Sequence, residues 1–86
     1  MYTVEYDEEE QPLRAVAHVQ DKIKKKIEWL GKNAESIQHD PLIGELQGFY
    51  KLVWGAFRIV YTIDHNSKKI MIHRIGPRGS IYPKTR

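Results

Sequence analysis

Lys51 and Arg58 are the two side chains whose types and positions point most directly to chemistry. Along 49–54, Tyr50, Leu52 and Trp54 alternate with Phe49, Lys51 and Val53. Along 57–64, Phe57, Ile59, Tyr61 and Ile63 alternate with Arg58, Val60, Thr62 and Asp64. In strands this alternation sends the apolar set to a buried face and turns Lys51 and Arg58 together onto the other. Cross-strand neighbours stand ~5 Å apart, and two cations at that range repel unless an anion lies between them. The pattern therefore predicts an anion site. Charge distribution agrees. Residues 1–43 carry six Lys/Arg against nine Asp/Glu, whereas residues 44–86 carry eight against two. A basic half of this kind suits a polyanionic partner, either nucleic acid or an acidic protein segment.

The other titratable residues form no evident constellation. His73 alternates onto the side of Met71 and Ile75 and reads as a half-buried strand residue. His18, His39 and His65 lack metal-ligand spacing and read as solvated. There is no cysteine, so disulfides and thiolate metal sites are excluded, which fits a reducing cytoplasm. No metal or cofactor is expected.

The elements that must position these residues follow from periodicity. With 86 residues, one domain spanning 1–86 is expected. Tyr2, Val4 and Tyr6 share a face of a short strand. Val16, Val19, Ile23, Ile27 and Leu30 recur at helical spacing, with Lys22, Lys24, Lys25 and Lys26 falling mostly off the stripe. Pro12 suits a first helical turn, and Asp21 reads either as an interior residue or as the N-cap of a second helix. Gly31 with Lys32 and Asn33 reads as a helix stop and residues 34–48, with Pro41, Gly44 and Gly48, as a loop. Trp29 and Trp54 read as core. Three strands follow, over 49–54, 57–64 and 69–75, with connections short enough to force an antiparallel meander. The fold class is α+β, with helical structure on one face of a small sheet. The N-terminal residues lack the basic and apolar pattern of a signal peptide, and no apolar run approaches ~20 residues.

The run from Leu46 to Tyr61, LQGFYKLVWGAFRIVY, resembles the "LxGxYKLRxGxYRVVY" signature of RelE/ParE toxins. The tail Gly76-Pro77-Arg78-Gly79-Ser80-Ile81-Tyr82 resembles the "GHRxxxY" ending of the same family. The order and lengths of the earlier elements agree as well, so the resemblance covers essentially the whole chain. It implies a small antiparallel sheet, an N-terminal strand plus a three-strand meander, with a two-helix hairpin on one face broken near residues 17–21. It also implies a toxin of a type II toxin–antitoxin system. Members of the RelE branch cut messenger RNA in the ribosomal A site, using the 2′-hydroxyl as nucleophile. The family's functional positions fall on Lys51, Arg58, Arg78 and Tyr82. Two departures stand out: Val53 occupies the place of a second basic residue, and Pro77 that of a histidine or lysine.

Such cleavage needs a base for the 2′-hydroxyl, charge stabilisation of the phosphorane, and an acid for the leaving 5′-oxygen. No carboxylate–histidine pair is evident. Neighbouring cations would favour a neutral Lys51 able to act as the base. Arg58 offers paired donors to phosphate oxygens. Arg78 would stabilise the leaving oxygen, and Tyr82 would stack on a base at ~1–3 kcal/mol. Lys22, Lys25, Arg74 and Lys84 are further candidate RNA contacts. The resemblance implies a cognate antitoxin in a hetero-oligomer, with messenger RNA and ribosome as targets, operator DNA reached only through the antitoxin, and no membrane partner. Two alternatives stand beside it: a ParE-type inhibitor of DNA gyrase, and a catalytically weak toxin acting mainly as an antitoxin-bound corepressor.

Overall fold

In a computed structural model, residues 1–7 and 20–77 are described. The chain runs β1 (Thr3–Tyr6), α1 (Gln20–Asn33), β2 (Asp40–Pro41), a short 3-10 turn (Gly44–Leu46), β3 (Tyr50–Trp54), β4 (Phe57–Asp64) and β5 (Lys69–Pro77). The strands form one sheet in the order β1-β5-β4-β3-β2. The meander β3-β4-β5 is antiparallel, as its short turns require. Gly55 opens the two-residue β3–β4 turn with φ 58, a backbone conformation that glycine adopts without a Cβ penalty.

The sheet departs from the expected one in two respects. Among the described residues it has five strands rather than four, because Asp40–Pro41 adds an edge strand against Lys51 and Tyr50. It is mixed rather than antiparallel, because β1 pairs parallel with β5, Val4 beside Ile70 and Tyr6 beside Ile72. Parallel neighbours need a long crossover, and everything between β1 and β5 supplies it. The first helix of the expected hairpin, with Val16 and Val19, lies outside the described residues, and α1 is the one α-helix among those described.

α1 buries the predicted stripe. Ile23, Ile27 and Leu30 are at most 1% exposed and pack with Ile59, Tyr61, Ile70, Ile72 and Ile75. At ~1.5–3 kcal/mol per fully buried aliphatic side chain, this layer is the main source of stability. The helix ends at Asn33, the last residue of the expected stop. Gly31 lies where the helix meets β1, its carbonyl accepting the Tyr2 N–H at 2.9 Å. Trp54 packs at the core margin, but Trp29 is 40% exposed with the Lys26 ammonium 4.1 Å over its ring. No helix among the described residues is long and apolar enough to cross a membrane.

Candidate functional site

α1 covers one face of the sheet, and the candidate residues stand on the other. Two rows cross that face. Lys51 of β3, Val60 of β4 and Arg74 of β5 lie side by side in one. Val53, Arg58 and Gly76 form the next. Three cations thus surround Val60, which is only 2% exposed although it is no part of the helix-side core.

Arg74 owes its place to an irregularity. The β4–β5 register jumps from Val60↔Arg74 to Tyr61↔Ile72, leaving His73 as the extra residue of a β-bulge. Simple alternation would bury Arg74 with Ile70 and Ile72. The bulge instead puts Ile75 into the core beside Ile59 and leaves Arg74 in the row of Lys51.

Lys51 and Arg58 are not the directly opposed pair that alternation suggested. Val60 faces Lys51 and Val53 faces Arg58, so the two cations are diagonal neighbours, a spacing of ~7–8 Å. The like charge on which a neutral Lys51 depended is therefore not across from it. The Lys51 ammonium instead lies 3.8 Å from the Asp40 carboxylate, its register partner on β2. Arg58 donates through Nη1 to the carbonyls of Gly55 and Phe57, both at 3.0 Å, which lays its guanidinium back over the β3–β4 turn. Its other nitrogens keep their donors for a ligand. Asp64, a possible partner for Arg58, accepts the backbone N–H groups of Asn66 and Ser67 in the β4–β5 turn. The Ser67 backbone bond, aided by its hydroxyl, holds that carboxyl below the usual range.

A polar row adjoins the cations on the same face. His73 donates from Nδ1 to the Asp7 carboxylate at 3.2 Å, and its Nε2 accepts the Thr62 hydroxyl at 3.0 Å. A carboxylate can only accept, so Asp7 fixes which ring nitrogen carries the proton in the neutral ring. Phe49 meets the imidazole edge-on, with centroids 5.1 Å apart. Sequence reasoning missed this arrangement: Asp7 and His73 are 66 positions apart, and only the parallel β1–β5 pairing brings them together.

Other expectations require correction. His39 is not a solvated histidine: Nε2 donates to the Ala34 carbonyl at 2.8 Å and Nδ1 accepts the Tyr61 hydroxyl at 2.6 Å. Burial first, then the nearby Tyr50 and Asp40, pushes the Tyr61 hydroxyl far above its usual range, consistent with its role as donor. His65 is exposed, yet accepts the Tyr2 hydroxyl at 2.8 Å. Lys22 and Lys25 are exposed on α1, in the other layer from Lys51, Arg58 and Arg74. Arg78, Tyr82, Lys84 and His18 lie outside the described residues.

The open face can therefore hold an anion with three cations and move a proton through an oriented imidazole. No curated protein matches the chain in sequence. Solved structures do match it in fold. The toxin–antitoxin complex RelBE2 of Mycobacterium tuberculosis aligns with TM-score 0.68 at 23% identity, over 90% of this chain and 98% of that one. The isolated Escherichia coli RelE toxin aligns with TM-score 0.70 at 19% identity, over 100% and 89%. A YoeB/ParE toxin from Agrobacterium tumefaciens aligns with TM-score 0.63 at 14% identity, over 88% and 98%. The family model for the ParE toxin of type II toxin–antitoxin systems matches residues 3–82. The chain thus belongs to the ParE toxin family of type II toxin–antitoxin systems.

Proposed function

We propose that this toxin is a metal-independent endoribonuclease that cuts messenger RNA in the ribosomal A site, arresting translation in the cytoplasm until a cognate antitoxin neutralises it. The observation that carries this reading is the triangle of Lys51, Arg58 and Arg74 around Val60 on the sheet face opposite α1. Cations on an open face suit a phosphodiester, whose cleavage is governed by positioning and by stabilisation of developing negative charge. In this reading Arg58 and Arg74 hold the phosphate oxygens, Lys51 carries a proton, Arg78 stabilises the leaving oxygen, and Tyr82 stacks on a base. Lys84 adds a backbone contact, and the ribosome supplies much of the substrate alignment. The antitoxin masks the same cations with an acidic segment, in a hetero-oligomer that alone reaches operator DNA. The M. tuberculosis neighbour, itself a complex with its antitoxin, supports such a partner.

A second reading has a specific observation behind it. The matching family model describes the ParE toxin, and Val53 stands 47% exposed where a second basic residue would serve RNA cleavage. The protein would then inhibit DNA gyrase and cut nothing. Primer extension on messenger RNA held in translating ribosomes separates the two. The wild type is expected to give discrete cuts at A-site codons, and Arg78→Ala to lose them. Growth arrest without cuts, accompanied by inhibited supercoiling in a gyrase assay, would instead establish the second reading.

A further inference from the structure

We propose that His73, oriented by Asp7, is the base that activates the 2′-hydroxyl. The proposal rests on the nuclease reading above and moves the base role from Lys51 to a residue outside the family signature. Three observations carry it. The Asp7 carboxylate accepts from Nδ1 at 3.2 Å, so the neutral ring presents an unprotonated Nε2. Nε2 already accepts a hydroxyl, that of Thr62 at 3.0 Å, which marks where a ribose hydroxyl would dock once the threonine rotates aside. Both members of the pair stay accessible, with His73 22% and Asp7 27% exposed at the side chain.

The position fits the cations. Arg74 is the next residue on β5, one strand position or ~3.3 Å along, and Lys51 lies across Val60 in the same row as Arg74. A phosphate seated between them would bring its neighbouring ribose toward His73, and the partly buried Phe49 ring beside the imidazole offers a surface for the attached base. Among the described residues, the groups around His73 are Asp7 at the end of β1, Thr62 on β4, Phe49 ahead of β3, Arg74 next to it on β5 and Lys51 on β3.

The step balances without any further reagent. The 2′-hydroxyl proton passes to Nε2, and O2′ bonds to phosphorus. The bond from phosphorus to O5′ breaks with its electron pair on O5′, which takes a proton from the Lys51 ammonium. The products are a 2′,3′-cyclic phosphate and a 5′-hydroxyl, and solvent returns imidazolium and amine to their starting states.

The test is single-turnover cleavage of messenger RNA on programmed ribosomes, from about pH 5.5 to 8, the range in which an imidazole loses its proton. Wild type should show a rate that climbs through this range. His73→Gln, checked for native folding by its thermal unfolding, should lose the climb and fall by roughly 10²–10⁴. Should that variant fail to fold, Asp7→Asn carries the test. It keeps a hydrogen-bonding group at the ring but removes the charge that stabilises the imidazolium, and a fall of about tenfold or more is expected. A folded variant that cleaves within about threefold of wild type, on an unchanged pH profile, overturns the role of His73 and leaves the nuclease reading standing. Wild type that cuts no ribosome-bound RNA overturns both.

Discussion

At the scale of single residues, the open face illustrates how far alternation carries and where it stops. The faces of β3 and β4 could be read directly from period two, because both strands stay regular where they pair with each other. Arg74 and Ile75 could not, because the bulge at His73 reverses the sense of alternation, and nothing local to residues 72–76 announces it. His39 and His73 were equally opaque, since each derives its meaning from partners on other elements. Tyr61 shows what such a partner does to stability. The residue is 1% exposed and burial holds its proton on, as burial and then Glu28 do less strongly for Tyr6. Below the ordinary tyrosine range both folded and unfolded chains keep these protons, so the full stability is present. As pH rises through that range the unfolded chain releases them and the folded chain does not, so stability falls by up to ~1.4 kcal/mol per pH unit for each such group. Tyr61→Phe should cost about 1 kcal/mol at neutral pH through removal of the His39 bond, yet lose stability less steeply above pH ~10. Urea unfolding of both proteins from about pH 7 to 11 tests this. Parallel profiles would show that Tyr61 does not govern alkaline stability.

At the scale of elements, α1 was legible because Ile23, Ile27 and Leu30 form an uninterrupted stripe, and β3 to β5 because their turns are short. β2 was not, since it has two residues and one is a proline, which the sequence presents as a loop. The parallel partnership of β1 and β5 was hidden for a different reason: pairing across so long a crossover leaves no local pattern. The contact between α1 and β1 that accompanies it depends on Gly31. A Cβ there would meet the Tyr2 carbonyl oxygen and the Val4 Cγ2, each at 3.0 Å. Two effects oppose each other in Gly31→Ala. Helix propensity favours alanine by ~1 kcal/mol. The contact opposes it, because the carbonyl belongs to backbone anchored by the Tyr2 N–H bond to Gly31 itself and cannot swing aside as a side-chain tip would. Overpacking of this kind typically costs ~1–3 kcal/mol, so the clash should win and Gly31→Ala should be destabilised, with β1 loosened first. Denaturant unfolding gives the sign, and hydrogen exchange at the Tyr2 and Val4 amides gives the location. A stabilised variant would mean that β1 can shift without cost.

At the scale of the whole molecule, the sheet divides two basic surfaces that a linear reading merges into one set of RNA-binding positions. Lys51, Arg58 and Arg74 stand on the open face, while Lys22 and Lys25 are exposed on α1 in the opposite layer. One short single strand cannot lie against both. In the nuclease reading the two surfaces therefore do different work: the open face holds the scissile phosphate, and the α1 lysines meet a separate stretch of nucleic acid, as a protein wedged into a ribosomal cleft would require. The kinetic consequences separate cleanly. Replacing Lys22 and Lys25 with glutamine should raise KM for programmed ribosomes, leave kcat unchanged and flatten the salt dependence of kcat/KM by ~0.7–0.9 in logarithmic slope for each phosphate no longer neutralised. Arg74→Ala should instead lower kcat, because its charge is needed most when the phosphate becomes a phosphorane. Cleavage rates measured against ribosome concentration at several ionic strengths distinguish the two patterns. If the α1 double variant loses kcat as severely as Arg74→Ala, the lysines act in the chemical step, and the division of labour between the two faces fails. If it leaves both KM and the salt slope untouched, α1 presents nothing more than a solvated helix face, and the open sheet face alone accounts for the affinity.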